Sequence, residues 1–300
     1  MRTYLECIPC FFRQALTAAR LAGADEEDQK RILDEVAGVL PTFSLNATPP
    51  EMGRIIYRIV MKITGKDDPY RDIKAESTRK ALALYPQLKE ILSQSDDRLR
   101  TAVSFAIAGN SIDYGARDAL DIEKELVSIL DAENGASADT VFDYSRFRDA
   151  FHRAETILYL GDNVGETVFD RLLIEEMLQE PGKRITYVVR ERPIINDALI
   201  DDARQCGIDD LVEIISSGSD APGTLLPICS PEFLERFNNA DMIVSKGQGN
   251  FETLSEERQP IFFLFMAKCQ VIARDIGCRN GDMVLCDNTL RGNAVSGRGG

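Results

Sequence analysis

Tryptophan is absent from the 300 residues, and histidine occurs once, at His152. A single imidazole excludes metal sites built on two or three histidines. A Ser–His–Asp triad would have to use His152, which precedes the first strand-like run and has no local motif around it. It therefore reads as a structural or surface residue. Long apolar runs are also missing: FFLFMA at 262–267 is the densest patch and is far too short to span a bilayer. The opening MRTYLECIPC puts a charge and a proline where a signal peptide needs an apolar core, so a cytoplasmic location is expected. Bases are scarce, 35 against 49 acids for a formal charge of −14, which argues against a nucleic-acid partner. A small phosphorylated ligand needs only a local positive pocket or a cation. The 7 cysteines, an odd number scattered through a long chain, read as reduced thiols and not as a disulfide framework. No GxxxxGK[ST] occurs, and no GxGxxG follows the first strand-like run, so the common nucleotide-phosphate loops are lacking.

What is present is an ordinary globular composition, 44% hydrophobic and 28% charged, with two textures. Residues 1–135 read as a helical domain. RQALTAARLAG ends at Gly23, DEEDQKRILDEVAGVL ends near Pro41, and TPPEMGRIIYRIVMKITG runs from Pro49 and Pro50 to Gly65. ESTRKALALYPQLKEIL is helical but is expected to be interrupted at Pro86, and DDRLRTAVSFAIAGNSIDYG follows. From about 150 to 292, ILYLG, ITYVVR, LVEIIS, MIVSKG, IFFLF and MVLCD alternate with helical segments. That alternation predicts an α/β class, a three-layer α/β/α sandwich with a mostly parallel sheet. AENGASADT at 132–140 is the linker candidate, and 293–300 reads as a flexible tail.

In open α/β sheets, ligands collect at the C-terminal ends of strands. Three strand ends carry polar clusters here. After ILYLG, Asp162 and Asn163 offer two hard oxygens to a divalent cation, and the helix starting near Gly165 and Glu166 would aim backbone N–H groups at an anion. Alternatively, Asp162 or Asn163 merely caps that helix. After ITYVVR, PIINDA supplies Asp197, a third oxygen or another cap. After MIV, SKGQGNFE holds Lys246 as a point charge for phosphate and Gly247 for close backbone approach, although a tight turn explains this element as well. Asn110 and Asp113 in AIAGNSIDYG break an apolar helix, and a capping turn accounts for them. Cys7 and Cys10 in ECIPC follow no strand and lack a second CxxC, so they read as buried thiols at a helix start.

ECIPCFFRQAL, AGNSIDYG, LGDNVGETVFD, PIINDA and SKGQGNFE, in that order, resemble the damage-control phosphatase family, long called domain of unknown function eighty-nine. The CxxC-bearing N-terminus is similar to its stand-alone microbial branch. The resemblance implies an α/β/α sandwich with an added helical domain. It also implies metal-dependent phosphatase activity supported by manganese, cobalt, nickel or magnesium. It implies Asp162, Asn163 and Asp197 as metal ligands, Lys246 and Asn250 on the phosphate side, and Asn110 and Asp113 facing the same cleft. RERP replaces the glycines often found before PIINDA.

The expected activity is hydrolysis of a small phosphomonoester, a sugar phosphate or a damaged nucleotide or cofactor intermediate, with purine-type nucleotides favoured by the branch. Asp162 is the candidate nucleophile and Asp113 a candidate base, with Lys246 holding phosphate oxygens. A carboxyl methyltransferase using S-adenosylmethionine is a rival, although GDNVGE has only separated glycines. A metal- or nucleotide-binding regulator, or a redox module through Cys7 and Cys10, is another.

Overall fold

The computed structural model of the chain describes residues 1–109 and 141–288. Helices α1 (Cys7–Leu21), α2 (Glu26–Val39) and α3 (Pro49–Thr64) gather Phe11, Ala15, Ile32, Val36, Met52 and Ile56 into a small core of their own. Their ends follow from local chemistry. Asp25 accepts a hydrogen bond from the Asp28 N–H at the start of α2 (2.9 Å), and Thr48 with Glu51 makes a capping box for α3. Gly65, at φ 67°, closes α3 in the left-handed conformation that a side chain resists.

Helix α4 (Arg71–Ser93) runs through Pro86 without a break, where the sequence predicts an interruption. An interior proline costs about 3 kcal/mol. Ala81, Leu84, Leu88 and Leu92 form one buried stripe on this helix, and each leucine contributes roughly 1.5–3 kcal/mol on burial. Packing outweighs the missing hydrogen bond. Helix α5 (Arg98–Ala108), α6 (Tyr144–Arg153), α7 (Thr167–Met177) and α8 (Ile200–Gln205) join α4 in one layer. Helices α9 (Pro231–Asn239), α10 (Gln248–Leu254) and α11 (Gln270–Ile276) form another.

The sheet lies between these layers. Its strands are β1 (Thr156–Leu160), β2 (Arg184–Val189), β3 (Glu213–Ser216), β4 (Met242–Lys246), β5 (Ile261–Met266) and β6 (Met283–Asp287). They stand in the order β3-β2-β1-β4-β5-β6, all parallel except the antiparallel β5–β6 pair. Strand side chains alternate between faces. Ile157, Tyr159, Tyr187, Val244 and Leu264 meet the α4–α8 layer, while Leu158, Leu160, Val188, Ile243 and Phe263 meet the α9–α11 layer. The three-layer α/β/α sandwich follows directly from that alternation.

Ile194 and Ile195, beyond the end of β2, insert into the α1–α3 core and dock that trio at the C-terminal edge of the sheet. The approach is close: a Cβ on Gly53 of α3 would lie 2.7 Å from Pro222 Cγ. Asn110, Asp113, the 132–140 linker and the 293–300 tail fall outside the described residues. No described helix is long and apolar enough to cross a membrane.

Phe105 of α5 is fully buried in the core shared with the sheet. Phe105→Ala is expected to lower stability by about 3–5 kcal/mol in urea denaturation. A loss below about 1 kcal/mol would contradict the placement of α5 in that layer.

Candidate active site

Strands β1 and β4 are neighbours, and the chain leaves them toward opposite edges of the sheet. The crevice at such a switch point is where doubly wound sheets bind ligands. Both strands end there on a glycine. A Cβ on Gly161 would lie 2.4 Å from the Tyr187 hydroxyl, and one on Gly247 (φ 83°) would lie 2.1 Å from Asp162 Oδ2. The bare Gly247 backbone lets the Asp162 carboxylate rest against the end of β4. Beyond β2, Ile195 adopts φ 45°, a strained value for a β-branched residue. It turns the chain back toward β1. The Ala198 N–H donates to the Asp162 carbonyl (2.8 Å), the Val164 N–H donates to the Asn196 carbonyl (3.0 Å), and Asn163 pairs with Asp197 in an isolated antiparallel bridge.

Asp162, Asn163 and Asp197 thus line one cleft of about 550 Å³ between the sheet edge and the α1–α3 cap. None of the three side chains caps a helix. α7 starts without a side-chain cap, and α8 starts with the Leu199 N–H on Asp202 (2.9 Å). Asn163 Nδ2 donates to Asp162 Oδ2 (2.8 Å) and Glu166 Oε2 (3.2 Å), which commits the amide nitrogen and leaves the side-chain oxygen without a hydrogen bond from the described residues. Arg190 Nε donates to Asp197 Oδ2 (2.8 Å) and leaves Oδ1. Among the described residues, no three His, Cys, Asp or Glu side chains gather into a metal cluster. A cation here would depend on Asn163 as its third ligand.

The floor of the cleft is acidic. The Asp162 carboxyl is pushed up to about 8 by burial and by the Asp197 and Glu166 carboxylates, with Arg190 and Lys268 opposing. Burial also raises the Asp197 carboxyl, although Arg190 pulls the other way. Beneath them, the Lys246 ammonium contacts Glu166 and donates to Asp170 (2.7 Å), and all three are fully buried. Tyr159 and Tyr187 donate to the two Asp170 oxygens at 2.7 and 2.8 Å. Burial alone would lower the Lys246 pKa; Asp170 and Glu166 outweigh it and raise it.

Several expected site residues therefore do not face the cleft. Lys246 points into the floor, so direct contact with phosphate does not match its position. Glu166 and Gly165 are buried behind Asn163. Asn250 is also buried; its side-chain oxygen accepts from Arg190 (3.0 Å) and Thr224 (2.9 Å), and its Nδ2 donates to the Lys246 carbonyl (2.8 Å). Asn110 and Asp113 lie outside the described residues. Cys7 and Cys10 are not buried thiols: they stand half-buried and exposed, respectively, on the cleft wall with Cys269. His152 is a surface residue paired with Glu180 (2.6 Å).

Sequence reasoning missed three contributors. Arg190 closes ITYVVR and locks Asp197, and Asp170 anchors Lys246. Lys268, after β5, lines the cleft, is exposed, makes no ion pair among the described residues, and lowers the Asp162 pKa. An isolated basic residue directly after the most apolar strand was the available signal for Lys268.

The fold and cleft define a doubly wound α/β/α protein whose switch-point crevice presents carboxylate and amide oxygens. The damage-control phosphatase ARMT1-like domain matches residues 3–284, and the chain belongs to that family. It is 34% identical to the damage-control phosphatase of Pyrococcus horikoshii, over 97% of this chain and all of that protein. It is 35% identical to the one of Archaeoglobus fulgidus, covering 93% of this chain and 96% of that protein. The crystal structure of the DUF89 family protein from Pyrococcus horikoshii superposes with a TM-score of 0.88, covering 96% of this chain and 99% of that one.

Removing Lys246 leaves two buried carboxylates without their cation, a loss that typically costs about 3–5 kcal/mol. Lys246→Met is expected to show a destabilisation of that size in chemical denaturation. A variant as stable as wild type would contradict the structural role of Lys246.

Proposed function

We propose that the protein is a divalent-metal-dependent phosphatase of small phosphorylated metabolites, sugar phosphates or damaged nucleotide and cofactor intermediates. One observation carries the metal dependence. Around the floor, the carboxylates of Asp162, Glu166, Asp170 and Asp197 are matched by two directly paired buried cations among the described residues, Lys246 and Arg190, while the buried Lys74, which also pulls on Asp197, is paired with Asp68 and Asp202. A deficit of positive charge in a low-dielectric crevice favours a doubly charged cation. Asp162, Asn163 and Asp197 have the hard oxygens to hold it, and manganese, cobalt, nickel or magnesium suits such donors. When bound, the ion supplies Lewis-acid polarisation of a phosphoryl oxygen.

The chain's own groups supply the remainder. Lys268 offers its ammonium to a phosphate oxygen at the cleft mouth. Asp162, fixed by Asn163 and by the Gly247 backbone, is placed to attack phosphorus or to orient water. Arg190 and Lys246 act as positioning residues, holding Asp197 and the floor rigid. A cleft of about 550 Å³ suits a metabolite-sized ligand.

The test is a metabolite panel of phosphate esters, assayed with and without manganese. Wild type should hydrolyse a subset only with metal, and Asp162→Asn should lose at least about 100-fold, within the range for removing a key electrostatic group. Equal turnover by Asp162→Asn would contradict the assignment. Stability supplies the control. The Asp162 carboxyl is raised in the fold from the ordinary 3.8, so the folded metal-free protein binds the extra proton and loses stability as pH rises toward about 8. Asp162→Asn removes that penalty, and its metal-free melting temperature at pH 8 should equal or exceed that of wild type. A clear decrease would contradict the electrostatic account.

A further inference from the structure

Helix α10 carries a carboxyl that the scheme above leaves unused. Glu252 lines the same cleft as Asp162, Asn163 and Asp197, yet is only 8% exposed. Gln248, one turn earlier, donates Nε2–H to Glu252 Oε1 (2.9 Å), while its own side-chain oxygen accepts from the Lys268 N–H (3.0 Å). Glu252 is thus held at one oxygen by an amide that is itself fixed. Oε2 takes no hydrogen bond from the described residues.

Charged and titratable groups surround it on every side. α1 presents Cys7 and Cys10, with Glu6 just before the helix. The segment after β5 presents Lys268, Cys269 and Arg274, and Asp162 and Asp197 stand on the sheet edge. The Met1 ammonium sits on the Glu252 main-chain oxygen (2.9 Å) and pairs with Glu256 (3.3 Å). Burial dominates, pushing the Glu252 carboxyl up to about 7 against the smaller pull of Gln248 and the Met1 ammonium.

Hydrolysis of an alkyl phosphate makes an alkoxide, which leaves poorly unless protonated. The donor should titrate near the working pH and stand in the cleft. Lys246 is buried in the floor, and His152 is on the surface with Glu180. Burial makes the Cys7 thiol a weaker acid than usual. Glu252 meets both requirements.

We propose that Glu252 is the general acid of the hydrolysis, giving its Oε2 proton to the leaving oxygen of an alkyl phosphate. This rests on the phosphatase reading. As oxygen from water bonds to phosphorus and the P–O bond to the alkyl group breaks, the electron pair of that bond stays on the alkyl oxygen. The oxygen takes the Glu252 proton and leaves as the alcohol. The proton lost by water restores the carboxyl, so the net change is ester plus water to alcohol plus inorganic phosphate.

The test compares β-glycerophosphate, whose leaving group needs a proton, with p-nitrophenyl phosphate, whose phenolate does not. With manganese present, Glu252→Gln should lose about 100-fold or more in kcat on the glycerol ester and less than about threefold on the nitrophenyl ester. In wild type the glycerol-ester rate should fall as pH rises through about 7, and that limb should vanish in the variant. Glu252→Ala, assayed on the glycerol ester with added formate, gives a second reading: partial rescue supports proton donation. Equal losses on both esters, an unchanged glycerol-ester rate, or no rescue overturns it. Wild type inert toward both esters and toward the whole metabolite panel would instead overturn the phosphatase reading, and the proposal with it.

Discussion

Four carboxylates and two buried cations share the end of β1, and the cleft is built around keeping that imbalance tolerable. Lys246 is committed to Glu166 and Asp170, and Arg190 is committed to Asp197, Thr224 and Asn250. Asp162 accepts from the Asn163 amide, and burial with the Asp197 and Glu166 carboxylates raises its carboxyl against the pull of Arg190 and Lys268. A buried carboxylate in this position costs free energy in the metal-free fold. The neighbouring backbone is shaped to retain it: Gly247 gives up a side chain, and Ile195 accepts a left-handed φ. Strain at such places marks function when the surroundings over-determine it.

Topology explains why this charge collects where it does. The sheet order puts β1 beside β4, so the chain segments leaving them diverge and open a crevice. The loop after β2 closes one side by pairing Asp197 with Asn163, and the α1–α3 trio closes the top by packing on Ile194 and Ile195. One loop therefore carries Asp197, a proposed metal ligand, and anchors the cap. Displacing the cap would disturb Asp197, which only Asn196 separates from Ile195.

The strands were legible because a sheet covered on both faces writes near-continuous apolar runs, and IFFLFM is the clearest. Asp162, Asn163 and Asp197 stood out because they interrupt such runs at strand ends. The direction of Lys246 was not legible. Its partners Glu166 and Asp170 lie 80 and 76 residues earlier, and nothing beside Lys246 reveals that its chain turns into the floor. Arg190 read as the end of a strand for the same reason, and Glu252 closed the SKGQGNFE cluster with no role of its own. Pro86 was misjudged because local geometry outvotes packing only on paper; the leucine stripe of α4 wins in the fold. Cys7 and Cys10 looked buried from their apolar neighbours, but the cap sets them on the cleft wall.

The most direct measurement is anomalous scattering from crystals grown with manganese. The account predicts one strong peak within coordinating reach, about 2.0–2.6 Å, of oxygens from Asp162, Asn163 and Asp197. A map with no peak there at saturating manganese, or with the ion bound elsewhere and these side chains unchanged, would contradict it.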